Sequence, residues 1–218
     1  TPNIPGDPGG ISSASFPGII TSNNGSVWGS PSTYQNFSTL NGITVSASGM
    51  AIIVGGNGAI IQSSNGTTWT TVGQGVTQND LKSVTENPQG VFVAVGDRGT
   101  IIKSLNGVNW NIVGQGVTQN YLKSVTANSQ GVFVAVGSLG TILTSSDGTT
   151  WTLTTLAGST PPNLTSVAVS SSGQFVAVGN SGQVATSNNG TTWTVTTLAG
   201  STPPNLTSIA VNSQGTFV

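Results

Sequence analysis

Short runs of four to seven residues rich in Val, Ile, Thr and Phe alternate along the chain with clusters of Gly, Asn, Ser and Pro. No run keeps the helical period of about 3.6 residues over a useful length, so the pattern predicts strands and turns. One full cycle reads NLTSVAVSSSG (163–173), QFVAVG (174–179), QVATS (183–187) and TTWTVTT (191–197). The cycle then repeats. Its five tryptophans, Trp28, Trp69, Trp110, Trp151 and Trp193, are spaced by 41, 41, 41 and 42 residues.

Four antiparallel strands in about 42 residues make one blade of a β-propeller, a unit that buries its faces only against its neighbours. The expected fold is all-β, a five-bladed propeller of four-stranded blades over 11–218 behind a linker-like leader at 1–10. First strands begin near Leu40, Leu81, Leu122, Leu164 and Leu206. The N-terminal part offers only third and fourth strands (Ile19 to Trp28), and Leu206 to Val218 offers a first strand and the start of a second. The two ends are therefore expected to share the closing blade. Val218 falls in mid-strand by the register, so either Ile11 to Ser13 complete that strand or the stretch comes from a longer repeat array.

Connections follow the same period. Second and third strands are joined by GGNG, GDRG, GSLG and GNSG, where Gly or Asn is expected to take the positive-φ positions. Third and fourth strands are joined by Asn24-Gly25, Asn65-Gly66, Asn106-Gly107, Asp147-Gly148 and Asn189-Gly190, which predict two-residue hairpins. The longest loops, VGQGVTQN and LAGSTPPN, each occur twice.

The stretch SSDGTTW (145–151) and its copies, such as SSNGTTW (63–69) and SNNGTTW (187–193), resemble the Asp-box of sialidase-type (BNR) propellers. Related repeats occur in sortilin-like receptors and in photosystem II stability/assembly factors. Here the motif is one residue shorter, and the acid is Asn in four copies, Asn24, Asn65, Asn106 and Asn189. The resemblance implies an outer-edge hairpin in which the acid or amide ties the turn's N–H groups and Trp28, Trp69, Trp110, Trp151 or Trp193 packs between strands. The repeated turn is accordingly read as structural, because an Asx side chain caps its own turn and a Trp buries roughly 150–250 Å².

Composition narrows the function. Charged residues make up 4% of the chain, four basic against five acidic, for a net charge of -1. Nucleic-acid binding and docking on anionic lipid both need clustered Lys and Arg, so neither is expected. With no Cys and no His, disulfides and the usual zinc and copper ligand sets are absent, and no metal or cofactor is expected. No apolar run approaches the length of a membrane span. A surface built of Ser, Thr, Asn, Gln and Gly leans toward secretion or the cell surface.

Catalytic groups are scarce. A sialidase needs an arginine cluster, but Arg98 is the sole arginine. Glycoside hydrolysis needs at least two placed carboxylates, and Glu86 is the one acid on a first strand. Asp97 and Arg98 are expected to form a solvated pair. No enzyme is expected, with a degenerate glycoside hydrolase-like propeller as the residual catalytic reading. The leading expectation is a non-enzymatic extracellular or cell-surface module for adhesion or ligand binding, glycan included. Its partners would be a carbohydrate or a surface protein. The alternative is a purely structural module that self-associates or packs on neighbouring domains. Candidate ligand-surface residues are Gln78, Asp80 and Lys82, and their repeat equivalents Gln119, Tyr121 and Lys123. Lys82 and Lys123 match Asn41, Thr165 and Thr207 in the other repeats.

Overall fold

The computed structural model describes residues 39–156, 161–200 and 202–218. Within them sixteen strands pair into four antiparallel sheets of four, each in chain order. The first sheet holds β1 (Leu40–Val45), β2 (Ala51–Gly55), β3 (Ile60–Ser63) and β4 (Thr70–Thr71). The second holds β5 (Leu81–Glu86), β6 (Phe92–Gly96), β7 (Ile101–Ser104) and β8 (Trp110–Val113). The third holds β9 (Leu122–Ala127), β10 (Phe133–Gly137), β11 (Thr141–Ser145) and β12 (Thr152–Thr155), and the fourth β13 (Leu164–Val169), β14 (Phe175–Gly179), β15 (Gln183–Ser187) and β16 (Thr194–Thr197).

The core lies between sheets. Strand side chains alternate in direction, so Phe92 and Ala94 of β6 pack with Ile52, Val54 and Ile60 of the first sheet. Val93 and Val95, pointing the other way, pack with Phe133 and Ala135 of the third. A strand covered on both faces has no polar side, which is why FVAVG reads as an unbroken apolar run. Trp110, Trp151 and Trp193 each lock two sheets together. Trp110 meets Phe92 of its own sheet at a centroid distance of 6.4 Å and shares a core with Val72 of the preceding one. Trp151 with Phe133 and Trp193 with Phe175 repeat this at 6.2 and 6.4 Å.

The strands β1, β5, β9 and β13 lie side by side across the four sheets. A hydroxyl ladder ties them. Ser83 accepts the N–H of Val125 and Ser124 that of Val167, both at 3.2 Å.

Two of the expectations about the blades change. Among the described residues there are four sheets and not five blades. The N-terminal strands assigned to 19–28, and the leader at 1–10, lie outside the described residues. Leu206 to Val218 forms a hairpin held by one bridge, Val211 to Phe217, in place of two regular strands. It still follows β13: Leu206 N–H donates to Gly179 at 3.0 Å, and Ile209 N–H to Ser166 Oγ at 3.3 Å. At the other end, Ile43 and Val45 are 60% and 64% exposed, whereas Val84, Val125 and Val167, which match Ile43, are 5–6% exposed.

The third-to-fourth-strand turns are longer than two-residue hairpins, because β3 ends at Ser63 and β4 begins at Thr70. Side chains organise them instead. Asn65 Oδ1 accepts the N–H groups of Thr67 and Thr68 at 2.9 Å each, Ser63 Oγ accepts that of Gly66 at 2.8 Å, and Trp69 Nε1 donates to Gly66 O. The same bonds recur around Asn106, Asp147 and Asn189. The copy at Asn24, Gly25 and Trp28 lies outside the described residues. In the second-to-third-strand turns two successive residues are left-handed: Gly58, Gly99, Gly140 and Gly182 fill the second position at φ 65–70°, as expected, while the first is taken by Asn57, Arg98, Leu139 and Ser181 at φ 55–56° and so is not reserved for Gly or Asn.

Candidate functional site

The residue just before each first strand does two jobs. Through its carbonyl it holds its own sheet's turn: Thr39, Asp80, Tyr121 and Asn163 accept the N–H of Gly56, Asp97, Ser138 and Asn180 at 2.9–3.0 Å. Through its side chain it caps the turn of the sheet before. Asp80 Oδ1 accepts the N–H of Asn57 at 2.9 Å, Asn163 Oδ1 that of Leu139 at 3.0 Å, and Asn205 Oδ1 that of Ser181 at 3.0 Å.

Tyr121 breaks this series. A phenol ring carries no acceptor close to the backbone, and among the described residues the Arg98 N–H has no side-chain acceptor. Tyr121 is 53% exposed instead.

The second residue of each first strand also has a structural role in the outer repeats. Asn41 Nδ2 donates to Leu81 O at 2.8 Å, and Thr165 Oγ1 to Leu206 O at 2.6 Å, stitching one sheet to the next. Lysine fills this position in the middle two repeats and does something else. Lys82 turns to its own sheet, with Nζ 3.0 Å from Asp80 and 3.5 Å from Asp97. Burial pulls its ammonium down, but the Asp80 hydrogen bond and the charge of Asp97 outweigh it and hold Lys82 above the usual lysine value. The Asn57 N–H and then Lys82 keep the Asp80 carboxyl below the ordinary aspartate range. Lys123, half-buried, makes no hydrogen bond or ion pair among the described residues.

These groups meet. Asn41, Lys82, Asp97, Tyr121, Lys123 and Ser138 line an open cavity of about 540 Å³ spanning three sheets. Of the residues singled out from sequence, Lys82, Tyr121 and Lys123 lie in it, and Asp80 stands behind Lys82. Gln119 lines a neighbouring cavity of about 230 Å³ with Arg98, and Gln78 is exposed outside both. Asp97 pairs with Lys82 and not with Arg98, as a solvated pair would require. The sequence reading left Ser138 and Asp97 out of the site. Their signal was present, since each sits 41 residues from the other in the repeat, as do Asp80 and Tyr121. Glu86 acts at the opposite end of its strand, where Oε2 accepts the Ala47 N–H of the first sheet at 3.0 Å.

No protein-family model and no curated protein matches the sequence. Solved structures do match. A streptogramin B lyase superposes with a TM-score of 0.76 at 11% identity, over 88% of this chain and 65% of the lyase. YCF48 bound to D1 peptide matches with a TM-score of 0.59 at 19% identity, over 79% of this chain and 58% of that one. This chain has the β-propeller fold. Its four described sheets are propeller blades, and the cavity lies where inner strands meet. The extracellular domain of a hybrid two-component system from B. thetaiotaomicron is a further match, with a TM-score of 0.68 at 13% identity over 92% of this chain and 28% of that chain. The propeller spans 65% and 58% of the length of the first two proteins it resembles. These likenesses reach the propeller class and do not single out Asp-box families.

The lyase overturns one expectation. Scarcity of acids, bases and histidine was read as excluding catalysis, yet the same frame at 11% identity is an enzyme in the streptogramin B lyase. Chemistry in a propeller depends on a few side chains at one face, which bulk composition does not weigh.

Proposed function

We propose that this propeller is a binding module of an exported or cell-surface protein, serving adhesion or capture, that holds a glycan over the cavity opened by Tyr121. Tyr121 itself carries the reading. At that position Asp80, Asn163 and Asn205 each cap the turn of the preceding blade, and Tyr121 forgoes that bond to present an aromatic face beside Asn41, Lys82, Lys123 and Ser138. An exposed aromatic ring with a few converging polar groups suits a sugar, whose apolar face stacks while its hydroxyls bond. The cavity volume falls within the roughly 300–1,000 Å³ of small-ligand sites. An exported setting accords with the charge-poor surface and with the extracellular neighbour.

The frame around the site is, in this proposal, a five-bladed ring closed by strands from both ends. Two observations support that: the hydroxyl ladder continues from Ser166 to Ile209, and the apolar face of β1 at Ile43 and Val45 is left uncovered.

Screening the chain against a broad panel of immobilised glycans tests the function. Binding by the parent protein that Tyr121→Ala removes, with melting unchanged, is expected. Silence across the panel overturns the glycan assignment. So does capture of peptides alone, the class of ligand named for the YCF48 structure.

A further inference from the structure

The second and third blades form a natural comparison. Asp80, Lys82 and Asp97 of the second correspond, at an interval of 41, to Tyr121, Lys123 and Ser138 of the third. The backbone holds both sets alike. Asp97 N–H donates to Asp80 O and Ser138 N–H to Tyr121 O, each at 2.9 Å, and Leu81 pairs with Gly96 as Leu122 pairs with Gly137. One lysine therefore has two carboxylates within 3.0 and 3.5 Å, while its counterpart keeps its half-buried position and has lost both.

We infer that the ligand supplies the missing partner: a sugar of the uronic-acid class whose carboxylate sits on Lys123 while its ring lies on Tyr121. The inference rests on the glycan reading above and specifies the ligand's charge.

Three features favour it. Lys123 lines the same cavity as Tyr121 with no carboxylate bound to it among the described residues, so an incoming carboxylate can form a charge-assisted hydrogen bond without displacing a partner. The second blade demonstrates that carboxylates fit around this lysine from both the preceding position and the turn. Replacing those acids by Tyr121 and Ser138 leaves an aromatic face and a hydroxyl lining the same cavity, which are the groups a sugar ring uses. Lys82, already neutralised by Asp80 and Asp97, would not compete for the anion, and Asp97 would turn away a ligand shifted toward the second blade.

Calorimetric titration of the whole chain with trigalacturonate and with its fully methyl-esterified, neutral trimer tests the inference. The acid is expected to bind at least about tenfold more tightly than the ester at low ionic strength, as for a charge-assisted hydrogen bond. Lys123→Gln should erase that preference, so that the acid binds no more tightly than the ester. Ser138→Asp should erase it too, by rebuilding on Lys123 the contact that Asp97 makes to Lys82; the equivalent turn already tolerates Asp, so folding is preserved. Equal affinities for acid and ester overturn the carboxylate assignment and leave the glycan reading standing. The same holds if neither trimer binds although other glycans on the panel do. A wholly silent panel removes both.

Discussion

Asn163 Oδ1 accepts the backbone N–H of Leu139 at 3.0 Å, so the start of one blade's inner strand holds the left-handed turn of the blade before it. Asp80 with Asn57 and Asn205 with Ser181 repeat the relation. The repeat thus carries a structural clasp between blades at the end where the inner strands start, and the departure at Tyr121 is measurable against it.

Restoring the clasp should stabilise the protein and impair binding. Tyr121→Asn places an amide where it can accept the Arg98 N–H, for a gain of about 0.5–1.5 kcal/mol. A urea midpoint that rises while affinity on the glycan panel falls is the expected pair of results. A purely structural module would show the first without any binding to lose.

Leu139 is 54% exposed and sits at φ 55°, a region that crowds the Cβ of any non-glycine residue. Asn57 fills the equivalent place in the first blade. Leu139→Asn should accordingly raise stability by roughly 0.5–1 kcal/mol, since Asn tolerates the left-handed region better. Chemical denaturation at constant m-value reads this directly.

Trp151 is 6% exposed and fills the seam between the second and third blades, in a core with Val93 and Val95. Trp151→Ala should cost roughly 3–5 kcal/mol, the range for emptying a large aromatic site. Trp69, half-buried, should cost less on the same substitution. Equal losses at the two sites would show that the tryptophans act within a blade and not between blades.

Asp147 stands where three other described copies of the turn have Asn, and this makes its acid dependence separable. Burial alone would raise its carboxyl, but the N–H groups of Thr149 and Thr150, the Ser145 hydroxyl and Lys103 outweigh it and hold the group below the ordinary aspartate value. A depressed folded value means that the ionised form adds stability above the unfolded value of about 3.9, and that this is lost as pH falls through the folded value. Comparing melting of the parent and Asp147→Asn from neutral pH to below pH ~3 should show the parent's relative advantage shrinking on acidification.

Much of the frame was legible in the chain. Runs such as FVAVG report burial on both faces, and a Ser, Asx, Gly and Trp in fixed order report a turn whose side chains satisfy its own backbone. Both are local effects, recorded within a few residues. The turn type was misjudged because Asn-Gly suggests a two-residue hairpin, whereas Ser63 and Asn65 stabilise a longer loop that only their combined hydrogen bonds reveal. The expectation of no enzyme was overturned because it was drawn from composition, and the streptogramin B lyase shows that a propeller frame can carry catalysis.

The sequence by itself determined the strand order, the 41–42-residue period and the kinship of Lys82 with Lys123, because repetition aligns equivalent residues without any knowledge of space. Only the tertiary structure decided what each lysine faces. Whether Asp97 reaches Lys82, and whether anything reaches Lys123, depends on a turn folding back over the start of its own inner strand beside the next blade. That approach joins residues distant in the chain, and electrostatic interaction depends on distance in space, which no periodicity encodes.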